Sequence, residues 1–186
     1  MKKMIILMLF TITTFTSSLA YETKDTLKTS VLAGKIVRVK DGDTVVLLDS
    51  LNKMITIRLA GVDAPEKKQP YGKNAKQFVS DQVFSKQVIV KVINKDRYGR
   101  TVGWLFYGTK DLSEELLKNG LAWHYIDYDK SPILELLEKY AREDSIGLWS
   151  LPNPIRPSEY RKSIKKKIIY SRYFIIPGIE IITLIT

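Results

Sequence analysis

Residues 31–62, "VLAGKIVRVKDGDTVVLLDSLNKMITIRLAGV", constrain the fold of this chain more than any other stretch. Val37 and Val39, then Val45 and Leu47, alternate with polar partners. That period of two is the signature of half-buried strands. Asp41-Gly42-Asp43 and Ser50-Leu51-Asn52 interrupt the alternation with turn chemistry. Residues 54–59 form the next run, so the segment reads as three strands joined by short turns, a meander.

From Tyr71 to Ser85 the period changes. Ala75, Phe78, Val79 and Val83 fall on one helical face. "QVIVKVI" (87–93) and "RTVGWLFY" (100–107) return to strand, with Tyr98-Gly99 in the connection between them. "DLSEELLKNG" (111–120) reads as a short helix with Asp111 as N-cap, Glu114 three residues on, and Gly120 as its stop. "SPILELLEKYAREDSIG" (131–147) reads as a longer one, capped by Ser131, started by Pro132 and followed by Gly147. Its apolar face is expected at Ile133, Leu136, Leu137, Tyr140 and Ala141. The order β-β-β-α-β-β-α-α predicts an α+β fold, mainly β with helices. Its centre is a five-stranded, oligonucleotide-binding-type barrel with about three helices. No internal repeat is visible.

Charge then narrows the partners. The chain of 186 residues carries a net charge of +10, which suits a polyanion, either nucleic acid or an anionic membrane. The excess is uneven: +2 on residues 1–20, +3 on 21–150 and +5 on 151–186. There is no cysteine, so disulfides, thiolate metal sites and cysteine nucleophiles are excluded. With one histidine, His124, mechanisms that need a histidine pair are excluded too. His124 itself, and Trp104, Trp123 and Trp149, are expected to serve packing rather than chemistry.

Three short segments carry the candidate chemistry: "DGDT" (41–44), "RLAGVDAPE" (58–66) and "DRYGR" (96–100). Each lies at a strand end or turn, where a rigid scaffold presents side chains. Asp43, Asp63 and Glu66 are hard oxygen donors, and oxygen-only ligation points to Ca²⁺ or Mg²⁺ rather than zinc or copper. Pro65 stiffens the turn between Asp63 and Glu66. Arg58 and Arg100 can fork onto phosphate oxygens, and two guanidiniums beside a divalent cation suit a phosphodiester that gains negative charge as it is attacked. Glu66 is a candidate general base for a water, with a ligand role as the alternative. Tyr98 is a candidate to stack on or hydrogen-bond to a nucleotide. The ordinary expectations run beside these: a "DG" pair is a common turn former, a single arginine pairs with a neighbouring carboxylate, and a hairpin tyrosine packs.

Taken together the segments resemble the staphylococcal (micrococcal) nuclease, or thermonuclease, family. The matching elements are "DGDT", "RLAGVDAPE", "PYG" (70–72), "DRYGR", "NGLAW" (119–123) and "GLW" (147–149), in the family's order across residues 35–149. The resemblance implies a Ca²⁺-dependent phosphodiesterase acting on DNA and RNA and leaving 3′-phosphates. By motif position it implies Asp43, Asp63 and the backbone carbonyl of Ala64 as calcium ligands. It implies Arg58, Arg100 and Glu66 as the catalytic arginines and glutamate, and Tyr98 as a nucleotide contact. The prototype has threonine where Ala64 stands, a change that a carbonyl ligand survives. The loop from Glu66 to Tyr71 is shorter than the prototype's, and "WHYIDY" (123–128) aligns loosely with its tyrosine-bearing substrate loop. Tyr128 is taken as the substrate-contacting tyrosine, with Tyr125 as the other candidate.

The ends of the chain complete the division. Residues 1–20 have the charged start, apolar stretch and Ser18-Leu19-Ala20 ending of a cleaved signal peptide, so the protein is expected to be secreted or periplasmic. Residues 21–32 read as a loose arm and 33–150 as the barrel domain. Residues 151–186 read as a basic, then apolar, tail that could wrap the body, track phosphates or touch a membrane. A monomer acting on DNA and RNA is the leading expectation. A non-catalytic nucleic-acid-binding barrel and a membrane-anchored barrel are the competitors.

Overall fold

A computed structural model describes residues 30–173. The expected signal peptide and the apolar end of the tail lie outside the described residues. Within them, β1 (Val31–Asp41), β2 (Thr44–Asp49) and β3 (Met54–Leu59) form the meander, and β4 (Val62–Asp63) is a two-residue strand after it. Helix α1 (Gly72–Val83) follows, then β5 (Gln87–Lys95), β6 (Thr101–Tyr107) and the short β7 (Lys110–Asp111). The chain ends in α2 (Leu112–Lys118), β8 (Trp123–His124), α3 (Pro132–Glu143), a 3-10 turn at Gly147–Ser150 and α4 (Pro157–Tyr173). The strand β1 begins at Val31, two residues inside the segment read as a loose arm.

The strands pair in the order β3-β2-β1-β5-β6, antiparallel throughout, and β3 also pairs with β6 in parallel. That last pairing, with Arg58 opposite Val102, closes five strands into a barrel. Register slips between Val39 and Asp41 in β1 and between Val92 and Asn94 in β5 bend the strands where they must curl. The interior is filled by Ile36, Val45, Leu47, Ile57, Leu59, Val90 and Leu105 from the strands. Ala75, Val79 and Val83 of α1 and Leu112, Leu116 and Leu117 of α2 cover its ends. The Asp111 carboxylate accepts the Ser113 and Glu114 N–H groups and caps α2 as its sequence predicts.

Two helical expectations are corrected. In α3 the buried residues are Leu134, Glu138 and Ala141, while Ile133, Leu136 and Tyr140 are exposed. Glu138 is not among the residues of the expected apolar face. Its carboxylate instead points inward, accepts the His124 N–H at 2.6 Å and pairs with Arg142, whose guanidinium stacks 3.7 Å over Trp149. A buried carboxylate with those partners rotates the helix relative to a purely apolar face. Nor does the Ser131 side chain cap α3; Asp129 Oδ1 takes the Ser131 N–H at 2.9 Å.

The second correction concerns number. There are four α-helices among the described residues, because the segment read as a Pro-rich, basic tail contains α4. Pro157 stands at its first position, where a missing N–H costs nothing, and the Glu159 and Tyr160 N–H groups bond to Arg156 O. A smaller cluster of Trp123, Ala141, Leu148 and Trp149 fixes the chain just before it, with the two indole rings edge to face at 4.3 Å.

Candidate active site

The register of β2 on β3 places Thr44 opposite Arg58, so Asp43 lands beside the guanidinium. Arg58 Nη2 lies 3.3 Å from Asp43 Oδ2 and 3.1 Å from Asp63 Oδ1. Its Nη1 donates to Leu59 O at 2.9 Å and to Val62 O at 2.7 Å. Nη1 thus makes two hydrogen bonds, and Nη2 makes one, to Asp63, beside its ion pair with Asp43. Asp43 is fixed in turn by the Ala64 N–H on Oδ2 at 3.0 Å and the Thr44 hydroxyl on Oδ1 at 2.9 Å. A Cβ at Gly42 would meet the Cβ atoms of Ala75 and Ala64 at 2.7 and 2.8 Å, so only glycine lets this turn lie against α1.

Glu66 is held differently. Its backbone N–H donates to Gln69 Oε1 at 3.0 Å, and Gln69 Nε2 reaches Ile155 O at 2.7 Å, 86 residues along the chain. The loop returns so tightly onto α1 that a Cβ at Gly72 would stand 1.9 Å from Glu66 O. The Glu66 carboxylate meets Arg161 of α4: Nη1 donates to Oε1 at 2.7 Å. Arg161 Nη2 also lies 3.3 Å from Asp63 Oδ2. One guanidinium from α4 thereby bridges the two carboxylates of the "VDAPE" turn.

The electrostatics follow from this crowding. Burial, and then the neighbouring Asp43 charge, push the Asp63 carboxyl above the ordinary carboxylate value, while Arg161 and Arg58 pull it back. Burial also raises Asp41, followed by the charges of Asp43 and Glu66. Asp41 therefore shares the field of the site. Burial lowers the Arg161 pKa, but Glu66 and Asp63 outweigh it and hold the guanidinium firmly charged.

The residues present fit a hard divalent cation in a partial way. Asp43 and Asp63 are all-oxygen donors whose mutual repulsion is relieved by positive charge. Among the described residues no group of three or more histidine, cysteine, aspartate or glutamate side chains forms a metal cage. A cation here rests on two carboxylates and backbone oxygen, and draws its other ligands from water and substrate, the habit of Ca²⁺ and Mg²⁺ at phosphate sites. The Ala64 N–H on Asp43 Oδ2 holds the Ala64 backbone beside that carboxylate.

The other expected residues lie around this centre. Arg100 precedes β6, with Nε 2.7 Å from Asp96 Oδ2, an ion pair that leaves its Nη groups outside any other among the described residues. Burial pulls the Asp96 carboxyl up, but the hydrogen bonds from the Arg100 side chain and from the Arg100 and Tyr98 N–H groups hold it below the ordinary value. Tyr98 is exposed at the hairpin tip with the Arg97 and Arg100 guanidiniums 4.9 and 5.5 Å from its ring. Tyr128 is exposed and packs on Tyr125, ring centroids 4.6 Å apart. Of the two, Tyr125 feels the Asp63 charge and, with Asp63, Trp123, Arg156 and Pro157, lines a cavity of about 250 Å³. His124 is buried, with Nε2 3.3 Å from Asp129, consistent with a packing role.

Sequence reasoning missed Arg161 and Gln69 and set Asp41 aside as a turn former. Asp41 was visible in "DGDT". Nothing local marks Arg161, which follows the family-like segment by a dozen residues, and nothing local marks Gln69 as a tie to the tail.

Comparison with known proteins agrees with this geometry. Residues 56–151 match the family described as staphylococcal nuclease homologue. An uncharacterized endonuclease of Haemophilus influenzae is 40% identical over 131 residues, 70% of this chain and 74% of that one. An uncharacterized endonuclease of Escherichia coli O157:H7 is 39% identical over 129 residues, 69% of this chain and 84% of the other. The staphylococcal-like nuclease CAN1 of Arabidopsis thaliana is 46% identical over 113 residues, 61% of this chain but 35% of the plant protein. A closed five-stranded barrel, an acid–arginine cluster at the end of β3 and these matches lead to one conclusion: the chain belongs to the staphylococcal nuclease family and is a hydrolytic nuclease.

Proposed function

We propose that this protein is an exported, Ca²⁺-dependent, sugar-nonspecific nuclease that hydrolyses DNA and RNA to 3′-phosphate products. The observation that carries the reading is the buried Asp43–Arg58–Asp63 cluster with Glu66 one turn away, joined to Asp63 through Arg161. Metal dependence is general in the family. Asp43, Asp63 and the Ala64 carbonyl are the residues that hold the cation, which when bound adds positive charge against the phosphate.

The chain's own residues divide the remaining work. Glu66 accepts a proton from the attacking water as its oxygen bonds to phosphorus. The P–O5′ bond breaks, the 5′ oxygen leaves as a hydroxyl after taking up a proton, and the phosphate stays on the 3′ side. Arg100 turns its uncommitted Nη groups to the equatorial oxygens as their charge grows. Arg58 offers Nε to the same oxygens and otherwise keeps both aspartates aimed. Tyr98 and the Tyr125–Tyr128 pair supply surfaces for the nucleotide. Export rests on residues 1–20; among the described residues no helix is long and apolar enough to cross a membrane.

The test is digestion of DNA and RNA by the purified protein with Ca²⁺, Mg²⁺ or chelator, beside Arg100→Ala, with end-group analysis of the products. Activity in Ca²⁺ alone, lost in chelator and in the variant, is expected. Full activity in chelator overturns the metal dependence, and 5′-phosphate products overturn the bond assignment. Binding without cleavage under any divalent cation returns the protein to a nucleic-acid-binding barrel.

A further inference from the structure

Helix α4 is distinguished in this molecule by its charge. Residues 161–168 are exposed, and buried Pro157, half-buried Tyr160 and the Arg161 ion pairs with Glu66 and Asp63 tie the first turns of the helix to the body. Its sequence is strongly basic: Arg161, Lys162, Lys165, Lys166 and Lys167 stand against the single acid Glu159 in residues 157–168. At 3.6 residues per turn, positions 161, 162, 165 and 166 share an arc of about 140°. Residues 151–168 carry six basic groups and one acid, a net +5 against the +3 of the barrel segment, so the described charge is concentrated on this segment rather than spread over the scaffold.

Arg161 joins this helix to the chemistry. Arg58 is nearly enclosed and tied to Leu59, Val62, Asp43 and Asp63, whereas Arg161 is about half exposed, with a side-chain relative exposure of 48% against 11%. It ends 2.7 Å from Glu66, the residue read above as the base. The first turn of α4, at Pro157 and Ser158, also lines the cavity that Asp63 and Tyr125 open onto.

We propose that α4 is the strand-docking wall of the site, with Arg161 at its root as a phosphate-binding residue and Lys162 and Lys165 carrying the flanking phosphates. This rests on the reading that nucleic acid is the substrate and adds the surface that receives it. In the free protein Arg161 neutralises Asp63 and Glu66. When a strand arrives, the guanidinium exchanges carboxylate for phosphate, and the lysines release counterions from the backbone.

The experiment is binding of a labelled single-stranded oligonucleotide to the purified full chain in chelator, across a series of salt concentrations. Lys162→Gln with Lys165→Gln is expected to flatten the slope of log affinity against log salt by about 1.4, and Arg161→Gln by about 0.7. Arg161→Lys is expected to restore the slope, because counterion release counts charge. With cation present, Arg161→Gln is expected to raise KM for oligonucleotides. Parent-like slopes in all variants overturn the proposal, and so does a drop in thermal stability for Arg161→Gln with its slope unchanged, which marks a purely structural pair. Loss of binding to anionic phospholipid vesicles with the oligonucleotide slope intact assigns the helix to a membrane and also overturns it. Because binding is read without turnover, absence of cleavage by the parent sinks the nuclease mechanism and leaves this inference standing. Equal slopes with cleavage intact sink this inference alone.

Discussion

The two halves of the site are built on different principles. Asp43 and Arg58 belong to the barrel and Asp63 to the β4–β8 pair that follows it, and their side chains are nearly enclosed, 7–12% exposed. Strand register puts them together: Thr44 opposite Arg58 and Leu59 N–H on Asp43 O. Glu66 and Arg161 are 38% and 48% exposed, and neither is fixed by a strand. Their positions come from a loop tied by Gln69 to Ile155 and from a helix far along the chain. A sheet specifies geometry to within a fraction of its pleat, so the charged cluster that must stay rigid sits there. The groups that must meet water and substrate sit on the half that can move.

Five substitutions test this division, four ranked from the largest expected effect to the smallest and Arg161→Met as the comparison for Arg58→Met. Glu66→Gln is expected to lower kcat by ~10²–10⁴-fold, the usual worth of a general base. Its ion pair is exposed, so folding stability is expected to change by less than ~1 kcal/mol; kcat and a denaturant melt on the same preparation check both. A large stability loss would place Glu66 with the rigid half instead. Arg58→Met is expected to cost about 3–5 kcal/mol of folding stability, because it strands the Asp43 and Asp63 carboxylates in a closed setting. Urea titration reads this, and added Ca²⁺ is expected to recover part of it by mass action. If Arg161→Met costs as much as Arg58→Met, the contrast between the halves fails.

Gln69→Ala is expected to cost about 1–3 kcal/mol, since the Glu66 N–H and the Ile155 carbonyl both lose a buried partner. Its informative signature is hydrogen exchange: protection at Glu66 is expected to fall while β2 and β3 stay protected. Uniform loss across the barrel would mean that the loop and the barrel are one unit. The smallest effect is expected at Asp96, whose carboxyl is held below its ordinary 3.8 by Arg100 and the turn N–H groups. A depressed carboxyl contributes stability that is fully present above pH 3.8 and lost as pH falls through the folded value. The stability gap between the parent and Asp96→Asn is therefore expected at neutral pH and to close in acid. A gap that persists below the folded value would assign the effect to turn geometry rather than charge.

Much of the barrel was legible because its signals are local. Alternation in 36–59, the change of period at 71–85 and the Asp111 cap each depend on residues within one element, and each corresponds to an observed element. The face of α3 was not legible, because Glu138 is buried for the sake of His124 N–H and Arg142, partners that periodicity does not see. Asp41 was passed over since "DG" is ordinary turn chemistry. Its contact with the field of Asp43 and Glu66 depends on where the "VDAPE" loop returns.

By itself the sequence determined the order of the five barrel strands and of α1 to α3, the family and the identity of the charged residues at the end of β3. Those depend on short-range pattern, and short-range pattern survives without coordinates. Only the tertiary structure decided which carboxylate each arginine meets: Arg58 on Asp43 and Asp63, Arg100 on Asp96, and Arg161 on Glu66 and Asp63. The last contact joins residues 95 positions apart, brought together by the docking of α4. Ion pairing at that separation follows from how the elements pack, which no window of sequence contains.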